Sequence, residues 1–214
     1  MLIDLHTHTW PYSDDSDLKP EDLIQQAKRA GLDAICFTEH DWHWKDEDVA
    51  RLSEKHDFPI FHGMEISSDE GHILVFGLTE YKFGMHHAEF VRELVDEAGG
   101  VIILAHPYRG RVRHNPNPDQ LVDSVCQDHI FDLVDAVEVL NGRSNSKENN
   151  FARKLCRRLH LKGVGGSDAH SFSDILSCAT LFERRINNIK ELVTELKEGR
   201  FRAVDFRGTG PGNR

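Results

Sequence analysis

Short apolar runs alternate with longer amphipathic stretches along the chain, the pattern of repeated βα units. Strands are expected near Leu2–Leu5, Ala34–Phe37, Ile60–His62, Ile73–Phe76, Val101–Leu104, Ala136–Leu140, Gly163–Val164 and Phe201–Val204. Between them the spacing predicts helices over Pro20–Ala30, Asp46–Lys55, His87–Ala98, Pro118–Asp128, Lys147–Leu159 and Ile189–Glu198. Pro20 stands at a natural first-turn position, Gly31 and Gly99 close two of the helices, and Leu23, Ile24 and Ala27 recur at helical spacing. Seven or eight strands with helices between them fit a closed parallel barrel better than an open sheet. The 214 residues suffice for one domain, taken as 1–207, with a Gly-rich tail at 208–214 expected to be disordered. The stretch Tyr108–Pro118, rich in Arg, Asn and Pro, reads as a loop on the active face.

Composition narrows the partners. Hydrophobic residues at 39% and charged residues at 29% describe a soluble globular chain, and no run approaches the roughly 18 apolar residues that span a bilayer, so no membrane is expected. The first residues lack the basic region and apolar core of an export signal, and Cys36, Cys126, Cys156 and Cys178 are scattered like reduced thiols, so a cytoplasmic location is expected. A formal net charge of −10 argues against an extended nucleic-acid surface. Divalent ions held in one pocket would reverse the sign there and admit a small anionic substrate.

The chemistry is concentrated at the strand ends. His6 and His8 close the first strand in DLHTHT, and side chains at i and i+2 of a strand reach toward one ion. Asp168 and His170 repeat the spacing in GSDAH. Single candidates follow at His40 in TEHD, Glu65 in GMEIS, His72 in GHILVFG and His106 in AHP. In a βα barrel the strand ends meet at one mouth, so residues distant in sequence become neighbours. Imidazole and carboxylate together suit zinc, manganese or iron(II), and the absence of cysteine ligands favours a catalytic over a structural site. Arg109 and Arg143 stand just past strand ends, where a guanidinium can hold phosphate, and Trp10 and Tyr108 could stack on a base or sugar.

The order HxH, YSD, TEHD, GMEIS, AHP and SDAH, running from His6 to His170, resembles the polymerase and histidinol phosphatase (PHP) family. That resemblance implies an α/β fold, a distorted (β/α)7 TIM-like barrel, with a centre of two to three divalent metal ions. By matching motif the ligands are His6, His8, Asp14, His40, Glu65, His72, His106, Asp168 and His170, with Glu65 bridging two ions and Asp15 a solvated loop acid. Glu65, Asp168 and His170 are the expected catalytic residues. The implied reaction is hydrolysis of a phosphomonoester or small nucleotide by a hydroxide shared between ions. The stretch between His72 and His106 is short, whereas some family members carry a large insertion near there that shapes the substrate pocket. Three rivals remain at this level. Exonuclease or other phosphodiester cleavage lacks a basic track here, amidohydrolase C–N cleavage lacks a bridging lysine, and a non-catalytic regulatory domain would have lost ligands that this chain retains.

Overall fold

The computed structural model describes residues 1–207; the tail 208–214 lies outside the described residues. β1 (Leu2–Thr7), β2 (Ala34–Phe37) and β3 (Ile60–His62) pair in parallel, with α1 (Pro20–Ala30) and α2 (Asp46–His56) as crossovers. β4 (Met64–Ser68) and β5 (Gly71–Phe76) form a hairpin, and α3 (Ala88–Ala98) leads to β6 (Val101–Leu104). Three short helices follow, α4 (Arg109–His114), α5 (Pro118–Val125) and α6 (Ile130–Leu133). β7 (Ala136–Asn141), α7 (Ser146–Leu159) and β8 (Lys162–Gly166) then extend the sheet in parallel from β6. β9 (Cys178–Phe182), α8 (Ile189–Glu198) and β10 (Phe201–Asp205) complete the described chain, with β9 antiparallel to both β1 and β10.

The result is a mixed α/β fold with two five-stranded sheets, ordered β10-β9-β1-β2-β3 and β4-β5-β6-β7-β8. This corrects the expected all-parallel order: β5 runs against both β4 and β6, and β9 against β1 and β10. The cause is local. Only Asp69 and Glu70 separate β4 from β5, and a connection that short can join antiparallel strands but not make a crossover. Gly71 takes φ 119°, a conformation open to glycine, and Ser68 Oγ donates to its carbonyl at 2.5 Å. β4, β9, α6 and the helix α4, which lies inside the segment expected to be a loop, have no counterpart among the elements expected from the sequence.

Alternate residues of the inner strands enter different cores. Ala34, Cys36, Leu74, Phe76, Val101 and Ile103 join one cluster with Ile3 and Leu5 of β1, while Ile35 and Phe37 face α1 and α2 and Ile73, Val75 and Ile102 face α3. Burial on both faces explains why these strands read as unbroken apolar runs. At one end the sheets are stitched together. Asp168 N donates to His6 O (2.8 Å) and His8 N to Ala169 O (3.0 Å), while Glu65 N donates to Glu39 O (3.0 Å) and Asp41 N to Glu65 O (2.9 Å). Those four bonds lie among the histidines and acids singled out above. Among the described residues no helix is long and apolar enough to cross a membrane.

Candidate metal centre

Each strand delivers its candidate to the stitched end. His6 lies in β1 and His8 just after it, His40 follows β2, Glu65 is the second residue of β4, His106 follows β6, and Asp168 and His170 follow β8. His72 is the second residue of the reversed β5, which begins where its neighbours finish.

Glu65, only 1% exposed, is the hub. Its Oε2 lies 3.2 Å from both His6 Nε2 and His8 Nε2 and 3.1 Å from His40 Nδ1. Its Oε1 lies 3.0 Å from His72 Nδ1 and 2.9 Å from His106 Nε2. Asp168 Oδ1 stands 3.6 Å from His6 Nε2 and from His8 Nε2, and 3.4 Å from His170 Nδ1.

The burial of this cluster tests whether it suits a cation. His6 Nε2, His8 Nε2, His170 Nε2 and Glu65 Oε2 are buried without a hydrogen-bond partner among the described residues. Such atoms cost free energy unless something satisfies them. Two of the imidazoles are already set to accept a cation. His6 Nδ1 faces Glu138 Oε1 at 3.0 Å and His170 Nδ1 faces the Asp168 carbonyl at 2.8 Å; an N–H at each Nδ1 satisfies these acceptors and turns each Nε2 into the cluster, where giving up its proton to an incoming cation would free the lone pair. Three trios (His6, His8 and Asp168; His6, Glu65 and His106; His8, His40 and His170) bring their ligand atoms within 4.8 Å of one another. A set of imidazoles and carboxylates without thiolate fits borderline and hard divalent ions.

Electrostatics separate the two histidines of β1. Burial lowers the pKa of His8 to about 3, its Nδ1 meeting only the neutral Ser13 hydroxyl at 3.2 Å. Burial acts on His6 too, but Glu138, Glu65 and Asp168 together outweigh it and raise its pKa well above the ordinary value. Burial would raise Glu65 and Asp168, yet His6 and the neighbouring imidazoles hold both carboxyls below their usual range. Asp41, His106 and Asp168 all adopt positive φ (48°, 26° and 56°), a conformation that costs a non-glycine residue and gathers at functional sites.

The PHP domain family model matches residues 4–151, and a PHP-associated model matches residues 146–201. This chain belongs to the PHP domain family. It is 29% identical over 178 residues to the uncharacterized protein MJ1587 of Methanocaldococcus jannaschii, covering 76% of this chain and 95% of that one. In fold it is similar to PsfC of Pseudomonas syringae (TM-score 0.65, 19% identity, 95% of this chain and 91% of that one). It is likewise similar to a two-domain Bacteroides vulgatus protein containing a predicted PHP-like metal-dependent phosphoesterase (TM-score 0.66, 18% identity), covering 96% of this chain and 64% of that one.

Within this PHP domain the structure departs from the motif reading at Asp14. Asp15, not Asp14, faces the imidazoles: its carboxylate oxygens lie 3.1 Å from His170 Nε2 and 3.5 Å from His40 Nε2. Ser13 is buried with its Oγ donating to Glu39 Oε2 at 2.7 Å, which anchors the turn; Asp14 and Asp15 are both exposed, and it is Asp15 that faces the imidazoles. Arg109, expected to bind phosphate, is instead committed within the protein. Its Nη2 donates to Asp168 Oδ2 (2.5 Å) and Asn141 Oδ1 (2.7 Å), and its Nε to Ser144 Oγ (3.2 Å). Arg143 is exposed, and its side chain makes no hydrogen bond or ion pair to the cluster among the described residues. Tyr108 donates to Asp128 Oδ2 at 2.7 Å, whereas Trp10 is 51% exposed. Asp41 Oδ1 accepts from Ser67 N at 3.1 Å.

Three buried acids support this PHP centre from behind. Glu138 accepts from His6 Nδ1, from His106 N (2.9 Å) and from Asn141 Nδ2 (2.9 Å). Glu39 accepts from Thr9 N (2.8 Å), the Thr9 hydroxyl, Ser13 Oγ and Trp44 Nε1 (2.9 Å), and burial raises its pKa. Asp4 accepts from Ser167 N (2.9 Å) and His6 N (3.2 Å), with burial pushing its pKa to about 7. A signal for all three is in the sequence: an acid inside or beside an apolar strand run cannot stay buried unpartnered.

Proposed function

We propose that this PHP domain is a metal-dependent phosphoesterase that hydrolyses a phosphomonoester or small nucleotide. The observation that carries the reading is the convergence of buried, unpartnered imidazole nitrogens on the shared carboxylate of Glu65. His6, His8, Glu65, His106 and Asp168 would hold one pair of ions, with His72 beside Glu65; His40, His170 and Asp15 would hold a third. Bound divalent ions supply Lewis acidity toward phosphate oxygens and lower the pKa of water. Arg109 and Asn141 aim Asp168 by hydrogen bonds to its Oδ2, and Glu138 fixes the His6 ring. The acidic exterior supports a small substrate over a long polyanion.

A panel of phosphomonoesters, phosphodiesters and cyclic amides tests the reading, run with Mn²⁺, after chelation, and after Mn²⁺ is restored. Phosphate-ester turnover should vanish with chelation and return with the metal. Turnover that survives complete metal removal would overturn it, as would cleavage of amides alone.

A further inference from the structure

A cavity of about 460 Å³ is lined by His72 and His106 of the candidate centre together with Tyr108, Arg109 and Arg111. The run RGRVR places three arginines on α4, and their commitments differ. Arg109 is held by Asp168, Asn141 and Ser144. Arg113 donates to both carboxylate oxygens of Glu148, at 2.8 and 3.3 Å. Arg111 makes no ion pair or hydrogen bond among the described residues. Its guanidinium stands 5.5 Å from the centre of the Tyr108 ring, which is itself pinned by the bond to Asp128. Stacking on a fixed ring restricts the side chain while leaving its donors open. The buried Val112 next to it anchors the helix, so the position of Arg111 relative to His106 is set by the fold. Glu70 lines the same cavity and would repel an anion that approached it, leaving Arg111 as the uncommitted cation there.

Resting on the phosphoesterase reading, we infer that Arg111 binds a second anionic group of the substrate while the reacting phosphate sits among the cluster histidines. The substrate class is then a small molecule carrying two anionic groups, one at the centre and one in this cavity. Arg111 is a specificity determinant in this account, and the centre itself does not depend on it.

Propanediol monophosphate and propanediol bisphosphate share a skeleton and differ by the second phosphate, so they isolate the interaction. With Mn²⁺-loaded protein, the bisphosphate should have a kcat/KM about tenfold to a hundredfold higher, mostly through KM, the scale of one charge-assisted contact. Arg111→Ala should collapse that ratio toward one, and Arg111→Lys should restore part of it. A ratio near one in the unaltered protein, or one that Arg111→Ala leaves intact, would overturn the inference. Calorimetric binding of the two compounds to Mn²⁺-loaded protein separates this from the broader reading. If neither is hydrolysed, the phosphoesterase reading is still judged on the wider panel of esters, and binding decides the subsite: tighter bisphosphate binding that Arg111→Ala removes supports it, and equal binding rejects it.

Discussion

Glu65→Gln is expected to lower metal-dependent hydrolysis by about a thousandfold or more, at the upper end of what loss of one preorganised charge-stabilising group costs. The substitution keeps shape and volume and changes only charge and donor character. Glu65 faces His6, His8, His40, His72 and His106 at 2.9 to 3.2 Å, so an amide N–H₂ placed there would point a donor where a cation should sit. Metal content should fall together with turnover. Circular dichroism should show the fold retained, because Glu65 N and O keep their backbone bonds to Glu39 and Asp41. Full activity and metal content in Glu65→Gln would remove the hub from the account.

Gly166→Ala should produce the second large effect, through packing. A Cβ at Gly166 would stand 2.5 Å from His6 Cβ, 2.8 Å from Glu138 Oε1 and 3.2 Å from His6 N. His6 belongs to two of the candidate trios and Glu138 orients its ring, so the backbones of β1 and β8 must separate just where the ligands are aimed. Overpacking of this kind costs about 2 to 3 kcal/mol, which lowers the melting temperature of a chain this size by several degrees. Metal affinity should drop as well. Gly110→Ala is the control: a Cβ there meets nothing within 4 Å, and alanine suits the helix. Thermal melts of both variants with and without Mn²⁺ decide the matter, and a Gly166→Ala protein as stable and as metal-competent as the parent would contradict this geometry.

Most strand and helix positions were readable because local pattern governs them. The unbroken apolar runs of β2 and β6, and the Pro20 and Gly31 that bound α1, state their structure without reference to the rest of the chain. The direction of β5 was not readable from its residues, since Ile73–Phe76 looks the same whichever way it runs; the two-residue turn at Asp69 and Glu70 held that information. β9 was missed because Cys178–Phe182 is a short stretch that becomes a strand by pairing with β1 and β10.

The candidate site divides in the same way. His6, His8, His40, Glu65, His72, His106, Asp168 and His170 were singled out from strand-end placement and spacing, and the fold brings them into mutual reach. Asp14 and Asp15 adjoin in one exposed turn anchored by the Ser13–Glu39 contact, and that it is Asp15 that faces His40 and His170 is a tertiary arrangement that adjacent identical residues do not reveal. Arg109 looked free because its partners Asn141, Ser144 and Asp168 lie 32 or more residues away. Glu138 and Asp4 could have been flagged as acids lodged in apolar strands, which is a question of burial cost rather than of motif.

Anomalous diffraction from crystals grown with Mn²⁺ tests the central claim most directly. The account predicts at least two manganese peaks that share Glu65, one of them reached by His6, His8 and Asp168, and any further peak beside His40 and His170 with Asp15 rather than Asp14 in reach. A cup without manganese under those conditions, or with the metal bound only at exposed histidines elsewhere, would contradict it.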